Sequence, residues 1–106
     1  MQFRGGMNEL MRQAARMQRK IEEAKTKLQD IEVTASAVGD KVKATTTYGG
    51  KVAKIEIDAE FLKSEGIDLA LDGACAAINA ALEQSKKAME AELEKVTGGV
   101  KIPGML

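Results

Sequence analysis

The stretch EVTASAVGDKVKATTTYGGKVAKIEID, residues 32–58, is rich in β-branched and small side chains and is interrupted by Gly39-Asp40 and Gly49-Gly50. Short alternating runs bounded by turn residues read as strands, and three are predicted here, near 31–37, 41–48 and 51–57. Gly-Gly accepts the positive φ of a tight hairpin turn because glycine has no Cβ. In the second run Val42, Ala44 and Thr46 alternate with Lys41, Lys43 and Thr45, so the latter set is expected on a solvated face. In the third, Ala53, Ile55 and Ile57 are expected to face the core, with Lys54 and Glu56 outside. A sheet of three short strands has two free edges. It needs helices or a second copy of itself as cover.

Upstream, Met7, Leu10, Ala14, Met17, Ile21, Ala24, Leu28 and Ile31 are spaced 3,4,3,4,3,4,3, an unbroken heptad seam. Gly5 and Gly6 precede it, and Asn8 is a candidate cap. A helix of about 24 residues is about 36 Å long, more than so small a domain can cover. Part of it is therefore expected to protrude or to pair with another chain.

Downstream, Asp58-Ala59-Glu60-Phe61-Leu62 is expected to form a short turn that lays Phe61 and Leu62 on the core. A second long helix follows Gly66, with Leu71, Cys75, Ile78, Leu82, Ser85, Met89, Leu93 and Val96 close to heptad spacing. Gly98-Gly99 ends it. The expected architecture is α+β, a single domain over residues 1–106 in the order α–β–β–β–α. The N-terminal helix is placed at 7–30, a small antiparallel sheet at 31–57, the C-terminal helix at 67–97 and a short tail at 98–106. The two seams predict a homodimer, with Leu10, Met17, Ile21, Leu28, Ile78 and Leu82 at its interface.

Composition narrows the chemistry. The chain has 106 residues, 44% hydrophobic and 30% charged, an ordinary balance for one globular domain. Only Phe3, Tyr48 and Phe61 are aromatic, too few for a base-stacking platform. There is no His and one Cys, Cys75. Histidine acid–base catalysis, a Cys–His pair, a structural zinc site and an internal disulfide are thereby excluded. No apolar run approaches the roughly 18 residues of a spanning helix, and MQFRGGMNELMRQ lacks a signal-peptide core. The expectation is a small soluble cytoplasmic protein that is not an enzyme. No metal, cofactor, membrane or small-molecule substrate is expected.

Formal net charge is zero, yet the charges are segregated. Residues 1–27 carry seven basic and three acidic groups, a net of +4, while 28–66 and 67–106 each carry −2. With Met7 at heptad position a, Arg12 and Arg19 fall at f and Arg16 at c, opposite the seam, while Lys20 and Lys27 at g flank it. Two readings remain open: a solvated face with Arg–Glu pairs, or a surface for phosphate or nucleic acid, to which the rigid arginine fork is suited.

Other constellations read more simply. Cys75 falls on an apolar stripe and is expected to be a buried small hydrophobe. Glu90, Glu92 and Glu94 interleave with Lys86, Lys87 and Lys95 as an ion-paired helix face. Gly5-Gly6 and Gly49-Gly50 lack the residues that complete a nucleotide-binding loop.

Three separated stretches carry a resemblance. GGMNELMRQAARMQRK (5–20), YGG followed by KVAKIEID (48–58) and VTGGVKIPGM (96–105) are similar to the start, central hairpin and C-terminal tail of the YbaB/EbfC nucleoid-associated proteins. One departure is Ala59, where that family usually has Pro. The resemblance spans the chain in order. It implies an intertwined homodimer with protruding helical arms that binds double-stranded DNA in the bacterial nucleoid, alters its conformation and influences gene expression. It places the DNA contacts on the arms, here Arg12, Arg16, Arg19, Lys20 and Lys27, with Lys86, Lys87, Lys95 and Lys101 as further candidates. The alternative function is a protein–protein adaptor in DNA repair or recombination, gripping its partner with the arms and not touching DNA.

Overall fold

The computed structural model describes the backbone of residues 2–98 and the side chains of residues 6–98. The elements are α1 (Gln2–Leu28), β1 (Glu32–Ala37), β2 (Val42–Thr47), β3 (Val52–Ile57), α2 (Ala59–Glu65) and α3 (Ile67–Thr97). The α–β–β–β–α order holds, with the turn after Asp58 formed as a short helix. Of the expected tail 98–106, only Gly98 lies among the described residues.

Helix α1 takes in Gly5, Gly6 and Asn8, which the sequence had placed before its start or at its cap. Extending a formed helix gains a hydrogen bond per residue, which offsets the glycine cost of about 1 kcal/mol each. The other end stops at Leu28, short of Ile31. Ile31 instead joins the sheet entrance: its carbonyl accepts from the Tyr48 N–H at 2.8 Å, and the Gln29 carbonyl from the Gly49 N–H at 3.0 Å.

The sheet is antiparallel in the order β1-β2-β3. Ala35 pairs with Ala44, and Ala44 with Ile55. Between Thr45↔Lys54 and Thr46↔Val52 the register slips by one residue, leaving Ala53 as a bulge. Bulges shift the in–out phase of a strand. Val52, paired with Thr46, thus takes the core-side position predicted for Ala53, and Ala53 is exposed. Ile55 shares the face of Ala44 as expected but is 44% exposed, because α3 lies over β1 and β2 and leaves β3 largely open. Thr45 is buried rather than solvated: its hydroxyl meets that of Thr34 at 2.8 Å across the pair of strands.

Small residues set how α3 meets this sheet. Ala70, Gly73, Ala74, Ala77, Ala81 and Ser85 form its buried stripe. A Cβ on Gly73 would lie 3.0 Å from Val42 Cγ2 and 3.1 Å from Val38 Cγ2, so the helix backbone sits close on the sheet. The N-terminal members of the larger stripe seen in the sequence, Leu71 and Cys75, are turned about 100° away, one residue on, whereas Ser85 and Leu93 farther along it are buried. Leu71 is 53% exposed, and Cys75, expected in the core, is exposed as well. Its neighbour Ala74 occupies the buried place. Asp58 caps α2 by accepting from the Phe61 N–H at 3.0 Å. Phe61 packs on the core, while Leu62 remains exposed.

The protein measures 76 × 20 × 17 Å, with a radius of gyration of 20.1 Å. A compact chain of this length has about 13 Å. The difference is the arm formed by α1 and the end of α3.

Candidate nucleic-acid interface

Helix α1 runs toward the sheet and α3 runs away from it, so the two pack antiparallel. Ile21 is 0% exposed and Met17 half-buried, whereas every side chain from Gly6 to Arg16 is exposed. The cover supplied by α3 reaches Met17 and stops. Roughly the first 15 residues of α1, about 22 Å of helix, project beyond it.

Successive residues of a helix are 100° apart, which brings Arg12, Arg16 and Arg19 within about 60° of one another. All three are exposed, as are Lys20 and Lys27. Glu9 lies among them: Arg12 Nη1 is 3.8 Å from Glu9 Oε2, and Arg16 Nη2 is 3.8 Å from Glu9 Oε1. All three partners are more than half exposed, so these long pairs contribute at most about 1 kcal/mol each and yield to a competing anion. Arg19, Lys20 and Lys27 make no ion pair among the described residues. Glu23 lies on the same face one turn beyond Arg19, so three arginines to two carboxylates leave this part of the stripe with a net charge of +1.

The candidates on α3 are placed differently. Lys87 Nζ is 3.2 Å from Glu83 Oε1, and Lys95 Nζ is 3.2 Å from Glu92 Oε1, both on the exposed helix face. Lys86 lines an apolar groove of about 380 Å3 together with Lys25, Tyr48, Leu82, Met89 and Leu93. Lys25 was not singled out by the sequence reading, although its heptad position e, beside the seam, was a signal for it. Lys101 lies outside the described residues.

The expected interface residues also divide. Leu10 is 62% exposed, and Met17, Leu28, Ile78 and Leu82 are half-buried, so each retains surface that a second chain could cover. Ile21 differs from the others. Its side chain is wholly buried within one protomer.

Among the described residues, no group of three or more His, Cys, Asp or Glu side chains could hold a metal ion, and no helix is long and apolar enough to cross a membrane. A family model described as the YbaB/EbfC DNA-binding family matches residues 3–100. A nucleoid-associated protein of Agathobacter rectalis is 40% identical over 96 residues, covering 91% of this chain and 85% of that protein. Another, of Myxococcus xanthus, is 37% identical over 99 residues, covering 93% and 94%. The crystal structure of an uncharacterized protein of Helicobacter pylori superposes with a TM-score of 0.60 at 15% identity, over 74% of this chain and 90% of that one. That likeness is one of fold. Motifs, element order and a match across nearly every residue agree, and the chain belongs to the YbaB/EbfC DNA-binding family.

Proposed function

We propose that this protein is a nucleoid-associated protein that binds double-stranded DNA as a homodimer in the bacterial cytoplasm. It holds the duplex mainly by its phosphates, alters its conformation, and through that influences nucleoid organisation and gene expression. The observation that carries this reading is the exposed arginine face of α1, with Arg12 and Arg16 on its projecting outer half and Arg19 just inward of it. Guanidinium forks bind phosphate oxygens in pairs, and phosphates are the feature every duplex shares. The names of the family and of its relatives support the same partner.

The homodimer is supported by the open stripe of α3 around Leu71 and the uncovered face of β3 at Val52 and Ile55. Apolar surface left open on both a helix and a sheet is the usual mark of a face awaiting a second subunit.

Gel retardation of two unrelated duplexes at low and moderate salt tests the DNA reading. Retardation of both at micromolar protein, weakening with salt, is the expected result. No retardation at low salt would transfer the reading to the protein–protein adaptor.

A further inference from the structure

We propose that the outer half of α1 is a self-pairing surface. Two copies join there antiparallel, seam to seam, so that their arginine faces point apart and can hold two duplexes at once. Met7, Leu10 and Ala14 are exposed, Met17 is half-buried, and Met11 beside them is 66% exposed. No described residue covers this stretch. A lone helix of about 15 residues is marginal in water, so the arm gains from a partner.

The spacing of the seam selects a helix as that partner. Side chains at a and d fit the holes of a facing helix, and the inner half of the same seam already packs on one, α3. In an antiparallel pair a packs against d. With the overlap centred on residue 12, Leu10 meets the second copy's Ala14, Ala14 meets its Leu10, and Met7 and Met17 close the two ends. Large side chains set against small ones fill each layer. A parallel pair would set Ala14 against Ala14 and leave a gap.

Charge agrees with a second copy of the same arm. Over residues 6–18 the flanking e and g positions hold Gly6, Met11, Gln13 and Gln18, none of them charged. Glu9, Arg12 and Arg16 lie about 120–180° from the centre of the seam. Two arms therefore meet over an uncharged strip that brings no like charges together. The overlap of residues 7–17 is only about 15 Å long. Pairing is accordingly weak in dilute solution and grows where copies are held close together on one DNA.

Direction decides which copies meet. Leu71 lies where α3 crosses the sheet and Met7 on the arm, toward the two ends of a protein 76 Å long. Antiparallel arms put the two sheets at the far ends of the pair. The chains joined at the arms are thus not those joined at α3 and β3, and arm pairing links one dimer to another. The arginine faces look outward on opposite sides of the joined arms, one for each of two duplexes. Bridging rests on the DNA reading above, whereas the pairing does not.

Mixed disulfides test the pairing in the full chain, with Cys75→Ser as background. Leu10→Cys protein and Ala14→Cys protein are mixed, oxidised mildly with oxidised glutathione and mapped by mass spectrometry. The 10–14 bond should exceed both the 10–10 and the 14–14 bond. It should also exceed, several-fold, the bond formed when Ser64→Cys on α2 replaces Ala14→Cys in the mixture. An excess of 10–10 or 14–14, or no excess over the Ser64→Cys mixture, overturns the pairing. Bridging is read by capture of a fluorescent duplex on a second duplex fixed to beads, beside gel retardation of the single duplex. Leu10→Gln with Met11→Gln alters only exposed side chains, so helix content and retardation should hold while capture falls several-fold. Undiminished capture by this variant overturns the bridging. Absence of retardation by the wild type would instead sink the DNA reading, and bridging with it, while the disulfides still decide the pairing.

Discussion

The hydroxyls of Thr46 and Ser85 meet at 2.5 Å, joining the middle strand to α3 across 39 residues of sequence, and both residues are buried. Each is the other's partner in a place closed to water. Removing one leaves a buried hydroxyl unsatisfied, which costs about 1–3 kcal/mol, whereas removing both costs less than the sum. Thr46→Val and Ser85→Ala should each lower stability by that order in urea unfolding. The double variant should recover part of it. Additive losses would mean that the two hydroxyls are not coupled.

Gly73 should resist its mildest replacement. Alanine normally gains about 1 kcal/mol over glycine inside a helix. Here its methyl would press on Val42, which is fully buried and cannot give way. Gly73→Ala should therefore destabilise by about 1–3 kcal/mol by overpacking. Adding Val38→Ala should restore some of the loss by freeing the second contact. Thermal melts of the three variants check this.

Wild-type protein should sediment as a dimer at micromolar concentration. Leu71→Asp and Ile55→Asp alter exposed side chains, so each should shift the equilibrium toward folded monomer. Ile21→Asp differs in kind. It places an unpaired charge inside one protomer and should unfold the arm, at a cost of about 3–5 kcal/mol. A stable wild-type monomer would refute the assembly.

Salt dependence reads the contacts of the arginine stripe. Each phosphate contact contributes about 0.9 to the slope of log K against log salt. Replacing Arg12, Arg16 and Arg19 together with Gln should leave the circular dichroism unchanged, since all three face solvent. It should weaken binding to two unrelated duplexes alike and flatten the slope by up to about five units for a dimer that uses six arginines. An unchanged slope would show that the stripe is only a solvated face.

The strands, the Gly49-Gly50 hairpin and the overlong first helix were legible because each rests on local pattern. The errors share another origin. Leu71–Cys75–Ile78 and Ala70–Ala74–Ala77 are adjacent stripes of the same helical period, and periodicity cannot tell which one meets the sheet. The choice is made by distance of approach, which Gly73 permits and leucine would forbid. The bulge at Ala53 moves a phase by one residue without any signal in composition. Thr45 reads as polar and therefore outward until its cross-strand partner Thr34 is known. The arginine stripe was legible in full, but the length over which it stands clear of α3 was not.

The extent of 76 Å against widths of 20 and 17 Å makes the protomer nearly four times as long as it is broad. Frictional drag in solution follows that outline more closely than it follows mass. On a gel-filtration column calibrated with round standards, even an isolated protomer would emerge early, in the volume of a considerably heavier sphere. Elution position thus confuses shape with stoichiometry for this molecule. Light scattering or equilibrium sedimentation, which weigh particles whatever their outline, are the measurements from which its subunit number should be counted.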